Sequence, residues 1–234
     1  FASALLVNGW ELPAPMKFRV SLAVSEGYFA LTRQQVDFLG LGTERMGPDE
    51  WRIPAGRTVP AASVVAEPDM SSAFAVAALA AVRGRARLLG LSERTLAASG
   101  QPDRVFPELL RRFGARVTVD ATGTIVERGD CFRPLDVDVG GAPDLFPVLA
   151  ALVAGAPGRS RLTGAPQLRA KESDRIAAVA ALLRGAGVAC EELADGLVVE
   201  GRDPAEPRPA FRADPGRDHR LVMAAAVLKA FGLP

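Results

Sequence analysis

The stretch that decides the fold is Leu145–Gly155, which reads LFPVLAALVAG. Its apolar run is shorter than the roughly 18 residues that a membrane span needs, so it predicts a buried helix. Three further stretches begin in a similar way, at Phe1, Phe74 and Leu221, and successive copies lie about 72 to 77 residues apart. The spacing therefore predicts that the chain repeats one folding module.

Similar elements follow the first helix of each copy. A glycine-containing turn leads into a short strand, such as RARLLGL from Arg85 or SRLTGA from Ser160. A second helix with apolar residues at helical spacing begins near Tyr28, Asp103 and Ser173, and two alternating strands follow. The pattern predicts an α/β fold built from repeated βαβαββ units, with the last copy ending after its first helix.

The connector 55–69, AGRTVPAASVVAEPD, contains two prolines and separates the first copy from the second. It predicts a domain boundary, with residues 1–68 in one domain and residues 69–234 in another. The chain begins at Phe1 inside an apolar run and ends in KAFGLP directly after an apolar helix. We therefore expect a portion of a longer protein, truncated at both ends.

Composition excludes several classes of protein. The 234 residues are 49% hydrophobic and 24% charged with a net charge of +1, which argues against disorder and against a strongly basic nucleic-acid binder. One histidine, His219, excludes a zinc site built on several histidines. Cys131 and Cys190 lack the spacing of a metal site and are too few for a disulfide scaffold. We expect a cytoplasmic protein with reduced thiols and with no membrane segment.

Polar residues precede the predicted helices of successive copies. They include the segments 25–28, 67–72, 142–144, 171–175 and 218–220. A helix start exposes unpaired N–H groups and carries about half a positive charge, so several starts that converge form an anion site. Lys171, Arg175 and Arg220 would add positive charge for a phosphate or carboxylate. Asp144 and Glu172 would then be candidate acids and bases held among cations.

The same residues have a simpler interpretation, since Ser, Asp and Glu at helix starts are ordinary caps. By that interpretation Ser71, Ser72, Ser173 and Asp174 do no more than close their helices. The placement of rare residues favours a site, because the only histidine, the only tyrosine and one of three lysines all lie in these segments.

At these residues the chain resembles a known family, the 5-enolpyruvylshikimate-3-phosphate synthases. The motifs Lys-Glu-Ser-Asp-Arg at 171–175 and Asp-His-Arg at 218–220 occur in that family in this order. Segment 24–32, VSEGYFALT, is similar to the family's Ser-Lys-Pro-Tyr segment, with Glu26-Gly27 in place of Lys-Pro. The UDP-N-acetylglucosamine enolpyruvyltransferases share the fold but lack these two motifs in this form. The resemblance spans essentially the whole chain, which corresponds to a little over half of a family member.

The resemblance implies two domains, each an inverse half-barrel of three βαβαββ units around a pseudo-threefold axis. It implies transfer of the enolpyruvyl group of phosphoenolpyruvate to the 5-hydroxyl of shikimate 3-phosphate, with release of phosphate and without metal or cofactor. It also implies a cytoplasmic monomer that binds neither nucleic acid nor membrane. The resemblance further implies that one set of phosphate-binding residues and an acid/base lysine of the family lie outside this chain, so we expect the chain alone to be inactive.

The resemblance also implies roles for individual residues. Asp144 would take the proton from the attacking hydroxyl, and Glu172 would act in proton transfer at the enol carbon. Shikimate 3-phosphate would be bound by Ser25, Tyr28, Asp144, Gln167 and Lys171. Phosphoenolpyruvate would be clamped by Arg175 and Arg220, with His219 beside them. Gln167 stands where family members place a polar Asn or His.

Two alternatives stay open at this stage. One is an enolpyruvyltransferase-like protein that acts on another hydroxylated acceptor. The other is a split or degenerate homologue that binds anions without catalysis. We expect Asp144, Glu172, Arg175 and Arg220 to converge within roughly 15 Å if a functional site exists, since that is the width of a ligand pocket.

Overall fold

A computed structural model describes residues 2–20, 25–171, 173–203, 205–206, 212 and 216–232. The helices are α1 Ala2–Val7, α2 Glu26–Phe38, α3 Met70–Arg83, α4 Glu93–Ala98, α5 Phe106–Phe113, α6 Phe146–Val153, α7 Arg175–Gly185 and α8 His219–Ala230. The strands are β1 Met16–Arg19, β2 Glu44–Arg45, β3 Glu50–Ile53, β4 Arg85–Leu89, β5 Arg116–Val119, β6 Gly123–Glu127, β7 Asp136–Asp138, β8 Gly158–Thr163, β9 Ala189–Leu193 and β10 Gly196–Gly201.

The chain divides into two compact units. The first unit contains Phe1–Glu67 and Gly100–Pro102, and the second contains Pro68–Ser99 and Asp103–Pro234. A small core of Leu6, Val36, Leu41 and Ile53 holds the first unit together. The second unit has the larger core, which runs through α3, α5, α6, α7 and α8. Each unit therefore has the apolar interior that an independent domain needs.

Three successive segments share the order helix, strand, helix, strand, strand, and the middle segment has the additional short helix α4 between β4 and α5. Their sheets also share one strand order, first–third–second: β1-β3-β2, β4-β6-β5 and β8-β10-β9. All of these strand pairs are antiparallel. The third segment adds β7, which pairs with β8 in parallel. Among the described residues, the six elements of a βαβαββ unit occur in full only between Asp136 and Gly201.

Helix α6 is the buried helix that the opening stretch predicts. Every residue from Phe146 to Val153 is buried, because α3, α7 and α8 all pack against this helix. Gly155 follows it where the ring of Phe231 lies so close that a Cβ on residue 155 would be 2.4 Å from a ring carbon. The apolar run and its terminal glycine are therefore explained by packing.

Two helix starts differ from the sequence pattern. The second helix of the middle segment was expected from Asp103, but residues Pro102–Val105 form a 3-10 turn and α5 begins at Phe106. A similar 3-10 turn, Pro143–Leu145, precedes α6. Both turns and the helices that follow them carry a proline near the start, where its fixed φ and missing N–H are tolerated. None of the helices in the described ranges is long and apolar enough to cross a membrane.

Candidate active site

The site in the second unit is built on the first turns of its helices. Asp69, Asp174 and Asp218 are the N-caps of α3, α7 and α8. Each carboxylate accepts a backbone N–H of the following turn at 3.0 Å, from Ser71, Ala177 and Arg220 in the order of the helices. These aspartates therefore satisfy donors that a helix start leaves unpaired.

The serines of these segments do not supply the caps. The backbone of Ser71 donates to Asp69, and its hydroxyl donates to the buried carboxylate of Asp103. Ser72 Oγ donates to Asp69 Oδ2 at 2.6 Å. Ser173 Oγ donates to Asp218 Oδ2 at 3.2 Å. The interpretation of these serines as simple caps is wrong, since aspartates occupy the cap positions and the serine hydroxyls bond to carboxylates.

Four charged residues form a closed ring, which we call the Asp–Arg ring: Asp144, Arg175, Asp218 and Arg220. Arg175 Nη1 donates to Asp144 Oδ1 at 3.1 Å, and Arg175 Nε donates to Asp218 Oδ2 at 2.9 Å. Arg220 Nη2 donates to Asp144 Oδ2 at 2.8 Å, while the backbone N–H of Arg220 donates to Asp218 Oδ1. The starts of α6, α7 and α8 are thereby joined through side chains.

The ring is largely buried. The side chains of Arg175 and Asp218 are only 2% and 4% exposed, and those of Asp144 and Arg220 are 16% and 15% exposed. Buried charges are costly unless they are paired and hydrogen-bonded, and the ring meets that condition for both carboxylates. Hydrogen bonds therefore restrict the positions of both guanidiniums, those of Arg175 and Arg220.

The pKa of Asp218 reflects these contacts. Burial by itself raises the pKa of this carboxyl, but hydrogen bonds from Arg175, the Arg220 backbone and Ser173, together with the charge of Arg175, outweigh it. The pKa of Asp218 therefore lies below its usual value, and the group stays ionised. Charge-assisted hydrogen bonds of this kind are stronger than neutral ones.

Asp69 extends the charged network to α3. Burial raises the pKa of Asp69, but hydrogen bonds from Ser72 and Ser71 and the positive charge of Arg220 lower it further than burial raises it. Arg220 thus acts electrostatically on the starts of α3 and α6 as well as on its own helix. Asp69 and the Asp–Arg ring together connect the starts of α3, α6, α7 and α8 in one charged region.

Residues between the 3-10 turn Pro166–Ala170 and α7 lie next to the ring in the chain. Lys171 is half-buried, and Ser173 contacts the ring through Asp218. Glu172, the predicted acid, lies outside the described residues. His219 opens α8 and is exposed. The roles assigned to Lys171, Glu172 and His219 stay predictions.

Gln167 has an unusual environment. Its Nε2 donates to the carbonyl of Gly140 at 3.3 Å, in the loop that leads to Asp144. Its Oε1 is buried, and within the part of the chain that the structure describes it has no hydrogen-bond partner. A buried carbonyl oxygen left without a donor costs roughly 1–3 kcal/mol, so a donor from a bound molecule would satisfy it.

Ser25 and Tyr28 belong to the first unit. Ser25 occupies the N-cap position of α2 with φ of 60°, in the left-handed region, and its side chain makes no cap hydrogen bond. A non-glycine residue in that region is uncommon and costs about 1–3 kcal/mol, a strain often found at functional sites. Tyr28 is half-buried on the first turn of α2. Their roles as ligands of a phosphate compound stay predictions.

The comparisons with known proteins decide the family. The family model described as EPSP synthase (3-phosphoshikimate 1-carboxyvinyltransferase) matches residues 23–231. The chain belongs to the EPSP synthase family. It is 39% identical over 230 residues to a 3-phosphoshikimate 1-carboxyvinyltransferase of Aeropyrum pernix, covering 97% of this chain and 51% of that protein. A protein of the same name from Pyrococcus abyssi is 36% identical over 205 residues, or 88% and 47% of the two chains.

Solved structures agree on the fold. An EPSP synthase from Acinetobacter baumannii superposes with a TM-score of 0.66 at 23% identity, over 97% of this chain and 53% of that chain. The enolpyruvyl transferase NikO from Streptomyces tendae gives 0.64 at 21% identity, over 100% and 52%. The expected α/β enolpyruvyltransferase fold is confirmed. The chain spans about half the length of the curated relatives it matches.

Within this EPSP synthase family member, the structure joins three of the predicted site residues directly: Asp144, Arg175 and Arg220. The sequence analysis did not assign a role to Asp218, although it lies in the Asp-His-Arg motif. An aspartate directly before an apolar helix was the available signal, but it indicates a cap and not a partner for Arg175. No group of three or more His, Cys, Asp or Glu side chains among the described residues is arranged to hold a metal ion.

Proposed function

We propose that this chain forms part of a 3-phosphoshikimate 1-carboxyvinyltransferase. The reaction joins the 5-oxygen of shikimate 3-phosphate to C2 of phosphoenolpyruvate and later breaks the bond between C2 and the phosphate oxygen. One proton leaves the hydroxyl, and another is added to the methylene carbon and then removed. The observation that carries the proposal is the Asp–Arg ring, which places a carboxylate between two buried or half-buried guanidiniums.

Arg175 and Arg220 suit the anionic substrate. A guanidinium binds carboxylate or phosphate through two parallel N–H donors, and its charge persists at every physiological pH. Because both arginines are shielded from water, their attraction for an anion is screened less than at an exposed surface. We propose that they bind phosphoenolpyruvate and stabilise charge on the departing phosphate.

Asp144 is the proposed proton acceptor. Each of its oxygens accepts a guanidinium N–H, and Arg220 Nη1 also donates to its main-chain carbonyl at 3.2 Å. The carboxylate is therefore held in one orientation, as a general base must be. Glu172 is the proposed partner in proton transfer at the methylene carbon, and His219 is proposed to lie beside the anion clamp.

The other substrate is assigned to the remaining residues. We propose that Lys171 and Gln167 contact the shikimate moiety, and that Ser25 and Tyr28 bind its phosphate end. The buried Oε1 of Gln167 supports this role, since a substrate hydroxyl would supply the donor that it lacks. The two units would then be parts of the two domains expected of the family.

We also propose a cytoplasmic monomer, and the free thiols Cys131 and Cys190 are consistent with that compartment.

Calorimetric titration tests the proposal on the purified chain. Shikimate 3-phosphate should bind, and phosphoenolpyruvate should bind to the chain saturated with it. Arg220→Ala should weaken phosphoenolpyruvate binding by about 10- to 100-fold, the value of a hydrogen bond between charged groups. Arg184→Ala is the matched control, because Arg184 is an exposed arginine of α7 that pairs with Glu192.

The possible results separate the alternatives. Equal weakening by both arginine variants would mean that only net charge matters and would contradict the anion clamp. Binding of phosphoenolpyruvate without shikimate 3-phosphate would favour another acceptor. Binding of neither substrate would overturn the proposed function. The chain spans about half the length of its relatives, so the experiment measures substrate binding and not turnover.

A further inference from the structure

Asp218 contacts the two proposed clamp arginines from a buried position. Its side chain is 4% exposed, and both of its oxygens are used. Oδ1 accepts the backbone N–H of Arg220, and Oδ2 accepts Arg175 Nε at 2.9 Å and Ser173 Oγ at 3.2 Å. One carboxylate thus binds the first turn of α8, the side chain of the first residue of α7 and the residue before the α7 cap.

These contacts restrict the clamp arginines in different ways. Arg175 has a long side chain that loses about 2 kcal/mol of rotamer entropy when it is held in place. The bond from Nε fixes the plane of its guanidinium, so that Nη1 is directed at Asp144. For Arg220, the bond to the backbone fixes the first turn of α8, from which the side chain extends to the same carboxylate. Asp218 therefore sets the relation between the two guanidiniums.

We propose that Asp218 is a positioning residue of the anion clamp, which holds Arg175 and the start of α8 in the arrangement that binds phosphoenolpyruvate. The inference rests on the proposed function, and it adds a residue that acts only through its contacts with the two arginines. Preorganised guanidiniums bind an anion without a further loss of side-chain entropy. Removal of the Asp218 charge should therefore weaken phosphoenolpyruvate and spare shikimate 3-phosphate.

Asp218→Asn is the test variant, because one amide oxygen can keep the cap while the amide nitrogen cannot accept a hydrogen bond from Arg175 Nε. Asp174→Asn is the matched control, since Asp174 caps α7 and pairs with Arg169 at 2.8 Å at a partly exposed position. Calorimetry on both variants measures shikimate 3-phosphate binding and then phosphoenolpyruvate binding to the saturated chain. Circular dichroism verifies that each variant is folded.

We expect Asp218→Asn to weaken phosphoenolpyruvate binding at least 10-fold and to change shikimate 3-phosphate binding less than 2-fold. Asp174→Asn should change both less than 2-fold. In NMR spectra, the Arg175 Nε–H signal should be protected from exchange in the wild type and in Asp174→Asn, and exposed to exchange in Asp218→Asn. This signal reports the contact whether or not a ligand is present.

Several results would overturn the inference. Unchanged phosphoenolpyruvate binding in Asp218→Asn would remove Asp218 from the clamp and leave the proposed function intact. Equal weakening of both substrates, or the same loss in Asp174→Asn, would reduce Asp218 to an ordinary cap. An unchanged Nε–H signal in Asp218→Asn would contradict the contact itself. A wild-type chain that binds neither substrate would overturn the proposed function together with this inference.

Discussion

The starts of α7 and α8 have the same kind of contacts but differ in their exposure to solvent. Each begins with an aspartate N-cap, and each aspartate also accepts from an arginine, Asp174 from Arg169 and Asp218 from Arg175. The first pair is 39% and 34% exposed in the side chains, whereas the second is 4% and 2% exposed. The contacts are alike, but the first pair is partly exposed to solvent and the second is almost fully buried.

Exclusion of solvent changes the energy of an ion pair between the same types of residue. An exposed ion pair contributes about 0–1 kcal/mol, because water and salt screen it and two long side chains must be ordered. A buried pair is costly to form but even more costly to break, since loss of one partner leaves the other charge uncompensated. The Asp174 pair closes a helix, whereas the Asp218 pair belongs to the Asp–Arg ring.

The largest difference is expected when the arginines are replaced. Arg175→Met should lower the free energy of unfolding by about 3–5 kcal/mol, because the buried carboxylate of Asp218 loses its ion-pair partner. Arg169→Met should cost about 1 kcal/mol or less, since its ion pair with Asp174 is partly exposed to solvent. Urea denaturation of both variants measures the values. Similar losses for the two arginines would show that burial does not distinguish these helix starts.

A smaller difference is expected in acid. The pKa values of Asp218 and Asp174 both lie below the usual value of about 3.9, so the unfolded chain takes up protons before the folded chain does. Stability from each group is complete above about pH 5 and is lost as the pH falls through its lowered pKa. In acid, the free energy of unfolding should therefore fall less steeply with pH in Asp218→Asn than in the wild type, by up to about 1.4 kcal/mol per pH unit.

Urea denaturation at a series of pH values from 2 to 7 measures that slope. Asp174→Asn is the comparison. It should reduce this slope less, because screening weakens the contacts of a partly exposed carboxylate. If stability of the Asp218→Asn variant falls as steeply as that of the wild type, then the folded chain does not hold Asp218 ionised in acid.

The smallest expected effect is that of salt. The Debye length falls from about 10 Å at 0.1 M to about 3 Å at 1 M, and exposed pairs are screened most. The destabilisation caused by Asp174→Asn should shrink by a few tenths of a kcal/mol in 1 M NaCl. The destabilisation caused by Asp218→Asn should stay the same. Equal salt sensitivity in thermal melts of both variants would remove the distinction between the two sites.

Local pattern predicted much of the fold. The apolar run around Phe146 predicted α6, and the alternating strands and helical spacings predicted the elements that follow each first helix. The start of α5 was predicted three residues too early, because the 3-10 turn Pro102–Val105 has the same composition as a helix start. Among the described residues, the strand expected before each first helix pairs into a sheet only as β7, since pairing depends on a neighbour that spacing does not reveal.

The sequence predicted only some of the residues of the site. The resemblance supplied Asp144, Arg175 and Arg220, and the structure joins them through hydrogen bonds. Neither Asp218 as a partner of Arg175 nor the unsatisfied Oε1 of Gln167 was foreseen. Such features depend on which side chains meet across the core, and residues 43 positions apart in the chain make the bond between Arg175 and Asp218.

The amino-acid sequence alone determined the class of fold, the spacing of its modules and the kind of residue at each helix start, because these follow from local periodicity and cap chemistry. The motifs around Lys171 and His219 also determined the family. Only the tertiary structure decided that Asp218 and Arg175 are buried while Asp174 and Arg169 are partly exposed. The physical reason is that solvent exclusion is a property of the packed helices, and it changes the energy of a contact without changing the residues that make it.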